Sequence, residues 1–248
     1  MIVKYMSWQK FQDLVTRSAL YFRRIDHFID TFEGKIPLAL WGLNSQAIQD
    51  WYNRCKEEIF VSCWNMDEAE TPAMWRDYAG GFGVRISSTV GALTTELSYP
   101  PLPPTEPYEQ KNVDWAEKTG AKLAEVDERP QDGFTLGKIK YIDFDKVDVH
   151  EVLGEGPSNT VPAFRKRDGY VSENELRAIL RPASKSGDDA RARGDVHVFI
   201  PVRLQNLILE VRFAPVDEAN LESNIKKLLA DNGLSIPVNS AALGIKKA

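Results

Sequence analysis

The residues best suited to chemistry lie in the run YVSENELRAIL, residues 170–180. Read as a strand, it sends Glu173, Glu175, Arg177 and Ile179 to one face and Asn174, Leu176, Ala178 and Leu180 to the other. Three charges in a row are either a solvated strand face with a cross-strand ion pair or the lining of a polar pocket. In a pocket, a fixed carboxylate favours a transition state in which positive charge develops.

Other clusters offer other chemistry. The stretch DHFIDTFEG holds Asp26, Asp30 and Glu33. Paired carboxylates serve acid–base work or bind Mg²⁺, and with Glu173 and Glu175 they suggest a nuclease-like site. They meet no known metal spacing, and the alternative is a polar loop anchored by Phe28 and Phe32. Arg165, Lys166 and Arg167 form a tight basic run, and Arg191 with Arg193 the next. Such runs bind phosphate or nucleic acid, or simply form a solvated loop. From Ile59 to Ile86 the chain gathers Trp64, Trp75, Tyr78 and Phe82. These aromatics read as core, or as a wall flanking a flat ring. Gly80, Gly81 and Gly83 permit a tight turn, and no Lys-Ser or Lys-Thr follows to make a P-loop. Cys55 and Cys63 suit neither zinc nor a redox pair, and His27, His150 and His197 give no ligand pattern.

The elements that must position these groups follow from patterning. IVKYM reads as a strand, and Ser7 caps a helix that places Trp8, Phe11, Leu14 and Val15 on one face. ALYFRR is a second strand, residues 43–58 a helix, and EIFVSCW a near-continuously apolar, central strand. ETPAMWRDYA is a short helix with Pro72 in its first turn, followed by the strand GFGVRISS. The segment PPLPPTEP opens an insertion or flap spanning 100–133. KIKYIDF, DVHVFIPV and ILEVRFA read as strands, with a turn or short helix at RLQNL and a loop over 154–169. A last helix, DEANLESNIKKLLADNG, is closed by Gly233. Strands mixed with helices, without regular βαβ alternation, predict an α+β fold in a single domain over 1–248.

At 248 residues, 43% hydrophobic and 27% charged, the chain can bury a sizeable core. Its net charge of −5 argues against sequence-independent nucleic-acid binding through bulk charge. No signal peptide or membrane-spanning run is evident, so a cytoplasmic protein with no membrane partner is expected.

The chain resembles the bacterial and phage family known as domain of unknown function 2971. KYMS at 4–7, ALYFRRIDHFIDTFEG at 19–34, FVSCWNMDEAETPAMWRDYAGGFGVRI, GKIKYIDF, FRKRDGYVSENELRAI and VRLQNLILEVRFAP carry this resemblance over most of the length. The family's acidic loop reads Phe-Asn-Asp-Pro-Phe-Glu; here Ile29 and Thr31 replace its Asn and Pro. The resemblance implies association with mobile elements and a role as a phage-defence or toxin effector. It also implies a phage-encoded trigger or regulator.

The Glu-x-Glu strand is also similar to the catalytic motif of ADP-ribosyltransferases. That likeness implies split, mostly antiparallel sheets with flanking helices, and NAD as substrate. Glu175 becomes the carboxylate that stabilises the sugar cation, and Glu173 its partner toward the nucleophile. Lys4, Arg24 or Arg177 would hold phosphates, Tyr5 would lie beside Lys4, and Ser62, Trp64 and Trp75 would line the pocket. The acceptor is an unidentified protein or nucleic acid. The rival expectations are a recognition module for a phage protein or nucleotide, and a metal-dependent phosphodiesterase. If Glu175 lies outside the core, Glu175→Gln costs no more than ~1 kcal/mol of stability.

Overall fold

Ser7 closes the first strand and opens the first helix. Strand β1 (Ile2–Met6) ends there, and the Ser7 hydroxyl accepts a hydrogen bond from Lys10 N at 3.4 Å, capping α1 (Trp8–Arg17). Phe11, Leu14 and Val15 turn inward from α1, and Ser18 reverses the chain at φ 49° into β2 (Ala19–Arg24). The computed structural model describes residues 1–30, 32–33, 46–98, 134–147, 161–181, 196–214 and 218–242. The expected flap at 100–133, Arg191, Arg193 and His150 lie outside them.

The described chain continues through α2 (Gln46–Glu58), β3 (Phe60–Asn65), α3 (Pro72–Ala79), β4 (Val84–Ser88) and α4 (Val90–Ser98). Then come β5 (Phe134–Lys138), β6 (Lys140–Ile142), β7 (Arg165–Arg167), β8 (Glu175–Leu180) and β9 (His197–Pro201). The last elements are α5 (Leu204–Leu207), β10 (Glu210–Phe213), α6 (Glu218–Asp231) and β11 (Val238–Ser240). The result is a mixed α+β fold with a mostly antiparallel sheet and flanking helices.

The chain divides into two compact units, each assembled from distant segments. The first takes Met1–Leu20, Asn65–Asp127 and Ile200–Ala248; the second takes Tyr21–Trp64 and Glu128–Phe199. In the first unit the strand order is β11-β10-β4-β1, parallel between β10 and β11 and antiparallel elsewhere. Its core gathers Val3, Tyr5, Trp75, Ala79 and Ala214, with the Tyr5 and Trp75 rings edge-to-face at 5.2 Å. Thr71 caps α3, Pro72 fills its first turn, and Gly80 ends it at φ 63°.

In the second unit β2 pairs with β3 and β9, β3 with β8, and β8 with β5. Strand β3 is buried at every position but Cys63, as its apolar sequence predicts. Ile25, Ile59, Val61, Ala163 and Ile179 form the apolar core, with Phe28, Cys63 and Phe164 packed against it.

Three sequence expectations are corrected here. The strand expected over 170–180 begins only at Glu175. Residues Asp168–Glu173 form a 3-10 turn closed by Asn174 at φ 39°, a left-handed conformation that Asn tolerates better than most side chains. The 154–169 stretch, expected as loop, contains β7, which pairs in parallel with β6. KIKYIDF is not one strand: Lys138 ends β5, which starts at Phe134, Ile139 interrupts it with its N–H bonded to Glu175 O, and Lys140–Ile142 form β6.

Candidate functional site

Strand alternation puts Glu175, Arg177 and Ile179 on one face of β8, as the sequence predicts. The face is neither solvated nor open. Glu175 is 5% exposed and Arg177 fully buried. A lone Arg among Leu176, Ala178, Ile179 and Leu180 must find counter-charges inside the fold, because an unpaired buried cation is prohibitively costly. It finds two. Arg177 Nε donates to Glu175 Oε1 at 2.7 Å and Nη2 to Glu33 Oε1 at 2.8 Å, while Nη1 donates to Ala163 O at 2.8 Å. The Phe28 ring lies 5.6 Å from the guanidinium carbon.

Lys166 enters from β7, where the basic run was expected to be a solvated loop. Its ammonium lies 2.6 Å from Glu173, 3.2 Å from Glu175 and 3.6 Å from Glu33, and 4.6 Å above the Tyr170 ring centre. Arg165 is buried too and donates to Tyr52 Oη at 3.3 Å. The cations of β7 and β8 lie close in sequence; the remote member of this charge lattice is Glu33, 144 residues from Arg177. Asp30 and Glu33 provide its third side. Phe32 stacks under Arg167 at 4.3 Å and meets Phe144 at 5.9 Å, so the expected aromatic anchors are in place.

Burial by itself would raise the Glu175 pKa. Arg177 beside it, then Lys166, then a hydrogen bond from the Cys63 thiol outweigh burial and hold it down to about 2. Burial would lower the Lys166 ammonium, but Glu175, Glu173 and Glu33 raise it above its ordinary value. The Tyr141 hydroxyl fixes the start of β8 by accepting from Glu175 N at 2.9 Å.

Glu173, Glu175 and Arg177 are thus brought together, although Glu173 arrives from the turn and not from the strand. Arg24 is engaged elsewhere in the second unit: it makes a two-pronged pair with Asp26, at 2.8 and 3.2 Å, and contacts His27. Ser62 and Trp64 are buried on the face of β3 opposite Cys63. Tyr5 and Trp75 belong to the core of the first unit, and Lys4 lies on β1 opposite Ile86. Among the described residues no group of three His, Cys, Asp or Glu side chains is placed to hold a metal ion.

Sequence reasoning did not single out Lys166 as a lattice member, nor Cys63 and Tyr141. A signal existed: FRKRDGYVSENELR packs four cations and three carboxylates into fourteen residues. A second charge cluster also went unread. Arg85 and Arg212 face each other on β4 and β10, and Glu70 bridges them at 3.4 and 3.0 Å. Their signal is an Arg inside the apolar strands VRI and VRF.

Comparison with family models, curated proteins and solved structures gave no match to this chain.

Proposed function

We propose that the chain is a non-catalytic recognition module for a phosphate-bearing ligand of the nucleotide class. The observation that carries this is the state of Glu175. A carboxylate offers about four acceptor positions. Arg177 Nε, Arg177 Nη2 and Lys166 Nζ donate to this one, so both of its oxygens are engaged. A base or nucleophile needs a free lone pair; this side chain instead holds two cations in place. Lys166, Arg177 and the half-exposed Arg167 are groups of the kind that recognise phosphate.

A second reading, NAD-dependent ADP-ribosyl transfer in a split-sheet fold, has one observation in its favour. Glu173 and Glu175 converge on one ammonium, and Glu175 stays ionised at neutral pH, the state that stabilising a sugar cation requires. The family resemblance would give either reading a place in phage defence, with a phage-encoded trigger.

Calorimetric titration with ADP and NAD⁺, with nicotinamide release assayed on the same samples, separates the two. Binding without release is the result expected of a recognition module. Release that Glu175→Gln abolishes in a folded protein establishes the transferase. Absence of binding to either ligand overturns the recognition reading.

A further inference from the structure

Two kinds of carboxylate share the lattice. Glu175 accepts on both oxygens. Glu33 uses one oxygen: Oε1 accepts from Arg177 and lies 3.6 Å from Lys166, while Oε2 is buried without a partner among the described residues. Asp30 repeats the pattern. Its Oδ1 lies 3.4 Å from Arg167 Nη2 and accepts from Phe32 N at 3.0 Å, and Oδ2 is buried without a partner among the described residues. A buried acceptor lacking a donor gives up its hydration for nothing in return. Asp30 and Glu33 are therefore poorly matched anions on a well-formed set of cations. They also share one turn, in which Glu33 N donates to Asp30 O at 3.0 Å.

We infer that this turn is a tethered stand-in for a phosphate: Glu33 and Asp30 fill an anion subsite made by Arg177, Lys166 and Arg167, and a ligand's phosphate takes it by displacing them. The inference rests on the recognition reading and gives it a location and a competitor. Charge supports it. Lys166, Arg167 and Arg177 face four carboxylates, and two of these, Asp30 and Glu33, come from the turn. A phosphate monoester carries about −1.5 to −2 near neutral pH, close to the charge of the two carboxylates it replaces. Geometry agrees. One anionic oxygen lying between a guanidinium and an ammonium is how a phosphate oxygen is held, and a phosphate has further oxygens for Arg167. Tyr170, already against Lys166 and 5.5 Å from Arg167, stays behind as an aromatic wall.

The test uses the full chain and two probes, pyrophosphate and ADP, titrated calorimetrically at fixed low ionic strength. Glu33→Gln keeps the shape and an acceptor for Arg177 but removes the competing charge, so it is expected to bind pyrophosphate roughly tenfold tighter than the native chain, as when a tethered competitor is lost. Arg167→Gln is expected to weaken that binding. Near-ultraviolet circular dichroism checks that each variant is folded. A pyrophosphate response identifies the phosphate itself as sufficient, and tightening with ADP alone makes the subsite that of a nucleotide; both support the inference. ADP binding that Glu33→Gln leaves unchanged overturns the inference and spares the recognition reading. No binding of either probe to native chain and variant overturns both.

Discussion

The Lys166 ammonium and the Glu175 carboxylate lie 3.2 Å apart with side chains only 9% and 5% exposed, and each keeps the other charged. Neither can be considered singly. Glu175 also neutralises Arg177, and Lys166 also neutralises Glu173 and Glu33. The lattice therefore fastens three separate stretches: the turn holding Glu33, the β7 segment and the start of β8.

Removing one partner should show this directly. Lys166→Met leaves three carboxylates together without their ammonium, and its expected cost is about 3–5 kcal/mol in urea unfolding. The expectation of ~1 kcal/mol for Glu175→Gln assumed a position outside the core. Burial beside Arg177 raises the expected loss to about 2–4 kcal/mol. A Lys166→Met/Glu175→Gln pair should lose less than the two single losses added together, because the partners share one interaction. Strict additivity would show that the contact contributes nothing.

Asn174 sets how the two glutamates meet. Its φ of 39° breaks the strand before Glu175, so Glu173 approaches Lys166 from a turn. A β-branched side chain is strained in this region. Asn174→Val should cost about 1–3 kcal/mol and Asn174→Gly distinctly less. Equal losses would mean that the Asn side chain, and not its backbone, is what matters.

Local signals carried much of the fold into view, because short-range physics set those elements. Ser7, Pro72 and Gly233 mark helix ends through hydrogen bonds and backbone geometry within a few residues. The pairing of Glu175 with Arg177 was also near at hand, two residues apart on one strand face. What stayed hidden depends on distant pairing. Nothing near Lys166 says that β7 will pair with β6 and turn a basic run inward, and Glu33 lies 144 residues from Arg177. Burial decides whether a charged strand face is surface or lattice, and burial is a property of the whole chain. The dense aromatics of 59–86 resolve the same way: Trp64 and Trp75 are core, while Tyr78 and Phe82 are exposed.

Gly83 offers a test of packing in the first unit. A Cβ there would stand 2.1 Å from Met6 O and 2.6 Å from Ala79 O, both backbone atoms that cannot rotate away. Gly83→Ala should cost at least about 2 kcal/mol, since the end of β1 or of α3 must shift. Gly169→Ala meets nothing within 4 Å at an ordinary φ, and there the smaller entropy of the unfolded chain makes the change neutral or stabilising by up to about 1 kcal/mol. Similar thermal midpoints for the two variants would refute the close approach at Gly83.

Acid should loosen the lattice through Glu175. Its folded pKa of about 2 lies below the ordinary 4.5, so the carboxylate binds its proton less readily in the folded chain than in the unfolded one. The stability it contributes, on the order of 3 kcal/mol, is fully present above pH 4.5 and drains away as pH falls toward 2. Glu96 is shifted the same way: burial would raise it, but Arg203 and Asn206 hold it down, so it steepens the same acid limb. Lys166 acts at the other end. Its raised pKa contributes stability that is present below its ordinary 10.5 and is lost as pH climbs through the folded value. Urea midpoints measured between pH 7 and about pH 2 check the acid side. The native chain should lose stability steeply below pH 4.5, and Glu175→Gln, already weaker at pH 7, should lose much less over that interval. Parallel curves for the two proteins would show that Glu175 is not the group whose protonation acid unfolding reports.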